Sequence, residues 1–166
     1  MRLWTWKREN LPSVVHALRT AVAATLSAVI ARWVGMPEAY WAAIATLVVM
    51  QSTWGATWQL SLERIVATAV GAAAGAVEAT YFKTNLIACG IGIFLLGVVS
   101  MCFRLEKTAY RYASITLAII VLIPRAAAPW AIALHRFVEV SVGILVALLV
   151  VAFWPERPSA ARSAET

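Results

Sequence analysis

Aspartate is missing from this sequence, and its eight acidic residues are all glutamate. Metal-dependent phosphoryl transfer and aspartyl catalysis lean on aspartate as ligand or base, so its absence argues against both. Charge of either sign is scarce. Only 13% of the 166 residues are charged, where a soluble domain carries about 25%. With 62% hydrophobic residues and a mean hydropathy of +0.80, the composition is that of a membrane protein. Cysteine is limited to Cys89 and Cys102, on one predicted helix. Their separation along that helix is roughly 20 Å, too far for a disulfide. No G-x-S-x-G, H-E-x-x-H, phosphate loop or metal-ligand cluster occurs, so neither an enzyme nor a metal or cofactor is expected. The net charge of +6 would suggest nucleic acid in a soluble protein. Here its distribution among loops explains it, and no nucleic-acid partner is expected.

What is present centres on residues 62–78, LERIVATAVGAAAGAVE. At 100° per residue, Arg64, Gly71, Gly75 and Glu78 return to nearly the same angle. One face therefore carries a cation, two glycines and a carboxylate, while Ile65, Val66, Val70 and Val77 lie elsewhere. Residues 134–146, LHRFVEVSVGILV, repeat the pattern: Arg136 to Gly143 is the step from Arg64 to Gly71, and Glu139 shares that face.

In chain order, residues 1–11 mix Trp4 and Trp6 with Arg2, Lys7 and Arg8, which suits an interfacial segment. Asn10 is a candidate helix cap. The apolar run that follows is longer than a signal peptide's core and is read as a first membrane helix at 13–34. Helix two is expected at 39–53, a turn at Trp54 to Trp58, helix three at 61–82, helix four at 85–103, helix five at 109–124 and helix six from Pro129 to Trp154. The tail at 155–166 is small, polar and expected to be disordered.

Residues 39–50 and 109–120 match at Ala39/Ala109, Tyr40/Tyr110, Thr46/Thr116 and Leu47/Leu117. With the two Arg-Gly helices, this predicts an internal repeat of three helices each, about 12–82 and 85–154. Three is odd, so the halves are inverted. The expected fold is all-α integral membrane: six transmembrane helices as two inverted repeats, in one membrane domain at 12–154. Lys and Arg crowd the loops on one side, which predicts both termini in the cytoplasm.

Arginine within a membrane helix is costly. Arg19, Arg64 and Arg136 each admit two readings. They either snorkel or pair with Glu63, Glu78 or Glu139, or they give positive potential to an anion path. His135 and Glu139 are candidate members of that path alongside Glu63, and His16 and His135 are candidate proton carriers. Gly71, Gly75 and Gly143 are read as packing positions that let helices three and six cross closely.

The segments ALRTAVAATLSAVIARW at 17–33, AYWAAIATLVVMQ at 39–51, ERIVATAVGAAAGA at 63–76 and HRFVEVSVG at 135–143 resemble the fusaric acid resistance/aromatic acid exporter family, over about residues 12–154. Plant aluminium-activated malate transporters look like more distant relatives. The resemblance implies a bacterial inner-membrane exporter of organic anions, aromatic carboxylates among them, with Arg64 and Arg136 on the conduction path. Against larger members of that family, the sequence reads as one six-helix unit without the big cytoplasmic domain. Six short helices leave little wall around a path, so a homo-oligomer in the lipid bilayer is expected. The competing reading is a non-transporting membrane scaffold or accessory subunit.

Overall fold

The computed structural model describes residues 14–51, 53–102, 107–123 and 126–154. Among them are six helices and no strand: α1 (Val14–Trp33), α2 (Tyr40–Val49), α3 (Trp54–Phe82), α4 (Leu86–Cys102), α5 (Lys107–Leu122) and α6 (Pro129–Phe153). By length and composition α1, α3 and α6 can each cross a membrane, and α2, α4 and α5 are shorter apolar helices. The expected interfacial segment at 1–11, the Asn10 cap, the tail at 155–166, and Arg104 and Arg125 lie outside the described residues.

Local chemistry sets the helix ends. Gly35 closes α1 in the left-handed region at φ 79°. Its N–H donates to the Arg32 carbonyl at 2.9 Å, and the Met36 N–H donates to the Ala31 carbonyl at 2.9 Å. That doubly bonded terminus needs the conformation glycine adopts at no steric cost. The Asn85 side chain caps α4 by accepting the Ile87 N–H at 2.9 Å, and Pro129 opens α6 at a position whose N–H needs no partner.

Two expected boundaries move. Trp54 to Trp58 is not a turn but the first turn of α3. Thr53 caps it, accepting the Ala56 N–H at 3.4 Å, and the two indoles stack one helical turn apart with ring centroids 6.3 Å apart. Tryptophans and Gly55 read as loop residues in sequence, but at a membrane helix end they form an interfacial face. Helix two is shorter than expected. It stops at Val49 because Met50 turns extended, at φ −64° and ψ 117°. Ten residues rise only about 15 Å.

Residue pairings give the helix directions. α3 and α6 run antiparallel through the centre: Leu60 and Ile65 join the cluster of Val140, Ile144 and Ala147, while Ala72 joins Ala133. α5 lies parallel on α3, with Glu63 at Thr108, Arg64 at Tyr112, and Gly75 at Leu117 and Ile120. α2 lies parallel on α6, with Gly143 against Ala42 and Ala45. α1 flanks α2 and α6, and Ala23 meets Met50 and Val151. α4 flanks α5 and α3.

The distribution of side chains suits lipid outside and polarity inside. Phe94, Trp130 and Phe153 are well exposed, whereas Thr57, Ser61, Thr68 and Ser27 are buried. Small and hydroxylated residues let these helices approach closely, and the hydroxyls of Ser27, Thr57 and Thr68 bond the backbone about one turn back. Thr68 donates to the Arg64 carbonyl at 2.7 Å, and Thr46 reaches across helices to the Gly143 carbonyl at 2.8 Å.

Candidate functional site

The spacing that places Arg64, Gly71, Gly75 and Glu78 on one face of α3 also buries all four, along with Thr57, Ser61 and Thr68. On α6 the same holds for Arg136, Glu139 and Gly143. The glycines do not bring α3 and α6 together, as the sequence suggested. Gly71 seats the backbone of α5 at Ala113, and Gly143 seats the backbone of α2 at Ala42. These approaches lay an aromatic side chain under each arginine.

Arg64 is 6% exposed, and its guanidinium carbon lies 4.1 Å from the centroid of the Tyr112 ring. Its Nε has no hydrogen-bond acceptor, and no carboxylate pairs with it among the described residues. The adjacent Glu63 points elsewhere: it is half-buried and accepts from Thr108 Oγ1 at 3.3 Å and from Gln59 at 3.4 Å. Ser61, one turn before Arg64, keeps a buried hydroxyl without a partner. This end of the interior therefore carries positive charge held by an aromatic face and uncompensated by acid. In a low-dielectric interior such a charge attracts an anion strongly.

Arg136 sits in the opposite electrostatic setting. Its guanidinium carbon lies 3.3 Å from the centroid of Trp41, and an Nη lies 3.7 Å from a Glu139 carboxylate oxygen, the i, i+3 pair foreseen from sequence. Glu139 is fully buried and accepts the Glu38 N–H at 3.1 Å, while the Trp41 indole donates to Glu38 at 3.0 Å. Two carboxylates and one cation thus interlock at the N-terminal end of α2.

Arg19 is completely buried and serves the frame. It donates to the Gln51 carbonyl at 2.7 Å and to the Trp154 carbonyl at 3.0 Å, tying α1 to the α2–α3 link and to the end of α6. It also lies 3.2 Å from His16 Nδ1. His135 is exposed on the outer side of α6.

Sequence reasoning missed Tyr112, Trp41 and Glu38. The repeat offset of 70 sets Trp41 against Arg111; the contacts instead make Trp41 the counterpart of Tyr112, one residue further on. One depression lies away from both arginines. It is a cavity of about 500 Å³ beside Glu78, between α3 and α4.

A model described as fusaric acid resistance protein-like matches residues 25–150. The chain is 32% identical over 152 residues to the inner membrane protein YeeA of Escherichia coli K12, covering 87% of this chain and 42% of that protein. It is 30% identical over 169 aligned positions to the uncharacterized transporter YdhK of the same strain, covering 96% of this chain and 25% of that protein. The chain therefore spans less than half the length of either relative. No solved structure matches it significantly.

Proposed function

We propose, from the premise that this chain belongs to the fusaric acid resistance protein-like family, that it forms part of an inner-membrane route for the efflux of small organic anions. The observation that carries the reading is Arg64: a guanidinium inside a helix of transmembrane length, bedded on Tyr112, with no carboxylate among the described residues to neutralise it. An aromatic carboxylate fits that chemistry. Its charge would meet the guanidinium in a bidentate pair, and its ring would meet Tyr112. The family description, naming resistance to an aromatic carboxylic acid, points to the same substrate class.

The architecture we infer is two inverted halves, α1–α3 and α4–α6, crossing the bilayer six times with both termini cytoplasmic. What supports it is reciprocity. α3 packs parallel on α5 as α6 packs parallel on α2, and Arg64 on Tyr112 answers Arg136 on Trp41. Transporters built this way place their working site where the halves meet. In this arrangement Arg64 serves the cytoplasmic mouth and Arg136 the outer one. Several copies would complete the wall around such a route.

The test is flux of an aromatic carboxylate panel from proteoliposomes containing this protein alone, set against Arg64→Gln and Arg136→Gln. Loss of flux in Arg64→Gln is expected, with a smaller loss in Arg136→Gln. Equal flux in all three would remove the arginines from the path. The rival reading, a membrane scaffold or accessory subunit, draws on the close packing of both arginines, neither of which lines the cavity beside Glu78. Under that reading even the unmodified protein carries no flux alone.

A further inference from the structure

We propose that the cavity beside Glu78 is a binding site for a primary ammonium group carried on an apolar body. The cavity is an open groove of about 500 Å³ between α3 and α4, floored by Leu117 of α5. Its walls are apolar, with Ala74, Val77, Ile91, Leu95 and Leu96 among them, and Glu78 is the one ionisable side chain lining it. That carboxyl is 8% exposed, and its Oε1 is buried without a hydrogen-bond partner. Its Oε2 rests against Gly92, where a Cβ would collide with it.

A buried acceptor without a donor is a vacancy for a donor, because protein interiors pair almost all such groups. A carboxylate in an apolar wall calls for a cation, and among the described residues none pairs with Glu78. Arg64 is 14 residues away on the same helix, about 21 Å. Lys83, at the end of α3, is exposed. The volume around the carboxyl is apolar and large enough for a drug-sized body. Charge at one point and grease elsewhere describe an amphiphilic amine. Two sources carry that group: a free aromatic or alkyl amine, or the headgroup of an aminophospholipid whose chains lie along α4. This inference is independent of the anion reading of Arg64, which concerns the opposite charge at a different depth.

The experiment uses the purified protein in phosphatidylcholine nanodiscs and three fluorescent probes that differ only in head group: 1-naphthylmethylamine, 1-naphthylmethanol and 1-naphthoic acid. The amine should bind saturably and more tightly than the alcohol or the acid. Glu78→Gln should weaken it at least about tenfold, the loss of a charge-assisted bond. Ala88→Phe, which fills the cavity from α4, should remove binding. Slow alkylation of the buried Cys89, compared with the exposed Cys102, establishes that each variant is folded. Adding phosphatidylethanolamine distinguishes the sources: competition assigns the site to the lipid headgroup, and no competition to free amines. Unchanged amine affinity in folded Glu78→Gln, or alcohol or acid binding as tightly as the amine, would overturn the proposal.

Discussion

Gly71→Ala tests the contact that positions Arg64. An added Cβ would stand 2.9 Å from both the carbonyl carbon and the Cα of Ala113, and closer still to its carbonyl oxygen. Those atoms are helix backbone and cannot swing aside. Carbon pairs settle at about 3.5–4.0 Å, so α3 and α5 must part by roughly 0.6–1 Å. Overpacking of this kind costs about 1–3 kcal/mol. Gly90→Ala supplies the internal control, since nothing lies within 4 Å of its added Cβ. There the helix gains about 1 kcal/mol of propensity. Two chemically identical substitutions should therefore differ by about 2–4 kcal/mol, with opposite signs. Reversible unfolding in mixed detergent micelles measures both. The separation should also lift Tyr112 from the Arg64 guanidinium and depress flux. If Gly71→Ala unfolds no earlier than Gly90→Ala, the α3–α5 packing described here is wrong.

Arg19→Met should destabilise the fold by about 2–5 kcal/mol in the same unfolding assay, because the Gln51 and Trp154 carbonyls each lose the charged donor of a completely buried side chain. Arg136→Gln alone should cost about 3–5 kcal/mol by leaving Glu139 buried beside Glu38. The double change with Glu139→Gln should recover part of that, with a coupling of about 0.5–3 kcal/mol in a double-mutant cycle; strict additivity would deny the pair. Arg64→Gln should cost nothing or stabilise by about 1–2 kcal/mol. It relieves an insertion cost of about 2.5–3.5 kcal/mol and gives up a cation–π contact worth about 0.5–2 kcal/mol. A loss as large as that of Arg136→Gln would show that Arg64 is paired after all.

The faces of α3 and α6 were legible because helical periodicity is a local property. Arg64, Gly71, Gly75 and Glu78 fall at one angle whatever surrounds them, and that face is buried. What surrounds them was not legible. A glycine announces close approach without naming the partner, and Gly71 and Gly143 took α5 and α2 rather than each other. The seats on Tyr112 and Trp41 depend on how α5 and α2 lie against α3 and α6, which identity matching does not resolve. Glu78 looked like a member of a charged face. Its distinction, an acceptor without a donor at the edge of a cavity, exists only once α4 folds beside it.

The two arginines illustrate why matched residues need not have matched roles. Each stands seven residues before a buried glycine and lies over an aromatic ring of a neighbouring helix. Their difference comes from the neighbouring acids. Three residues beyond Arg136 stands Glu139, on the same face of α6; three residues beyond Arg64 stands Ala67. Glu63 precedes Arg64 directly, which points it about 100° away, toward Thr108. One arginine is thus enclosed in an internal ion pair, where its charge stabilises the fold. The other keeps its charge at a cost to the fold. The anion route proposed above would give that charge a use.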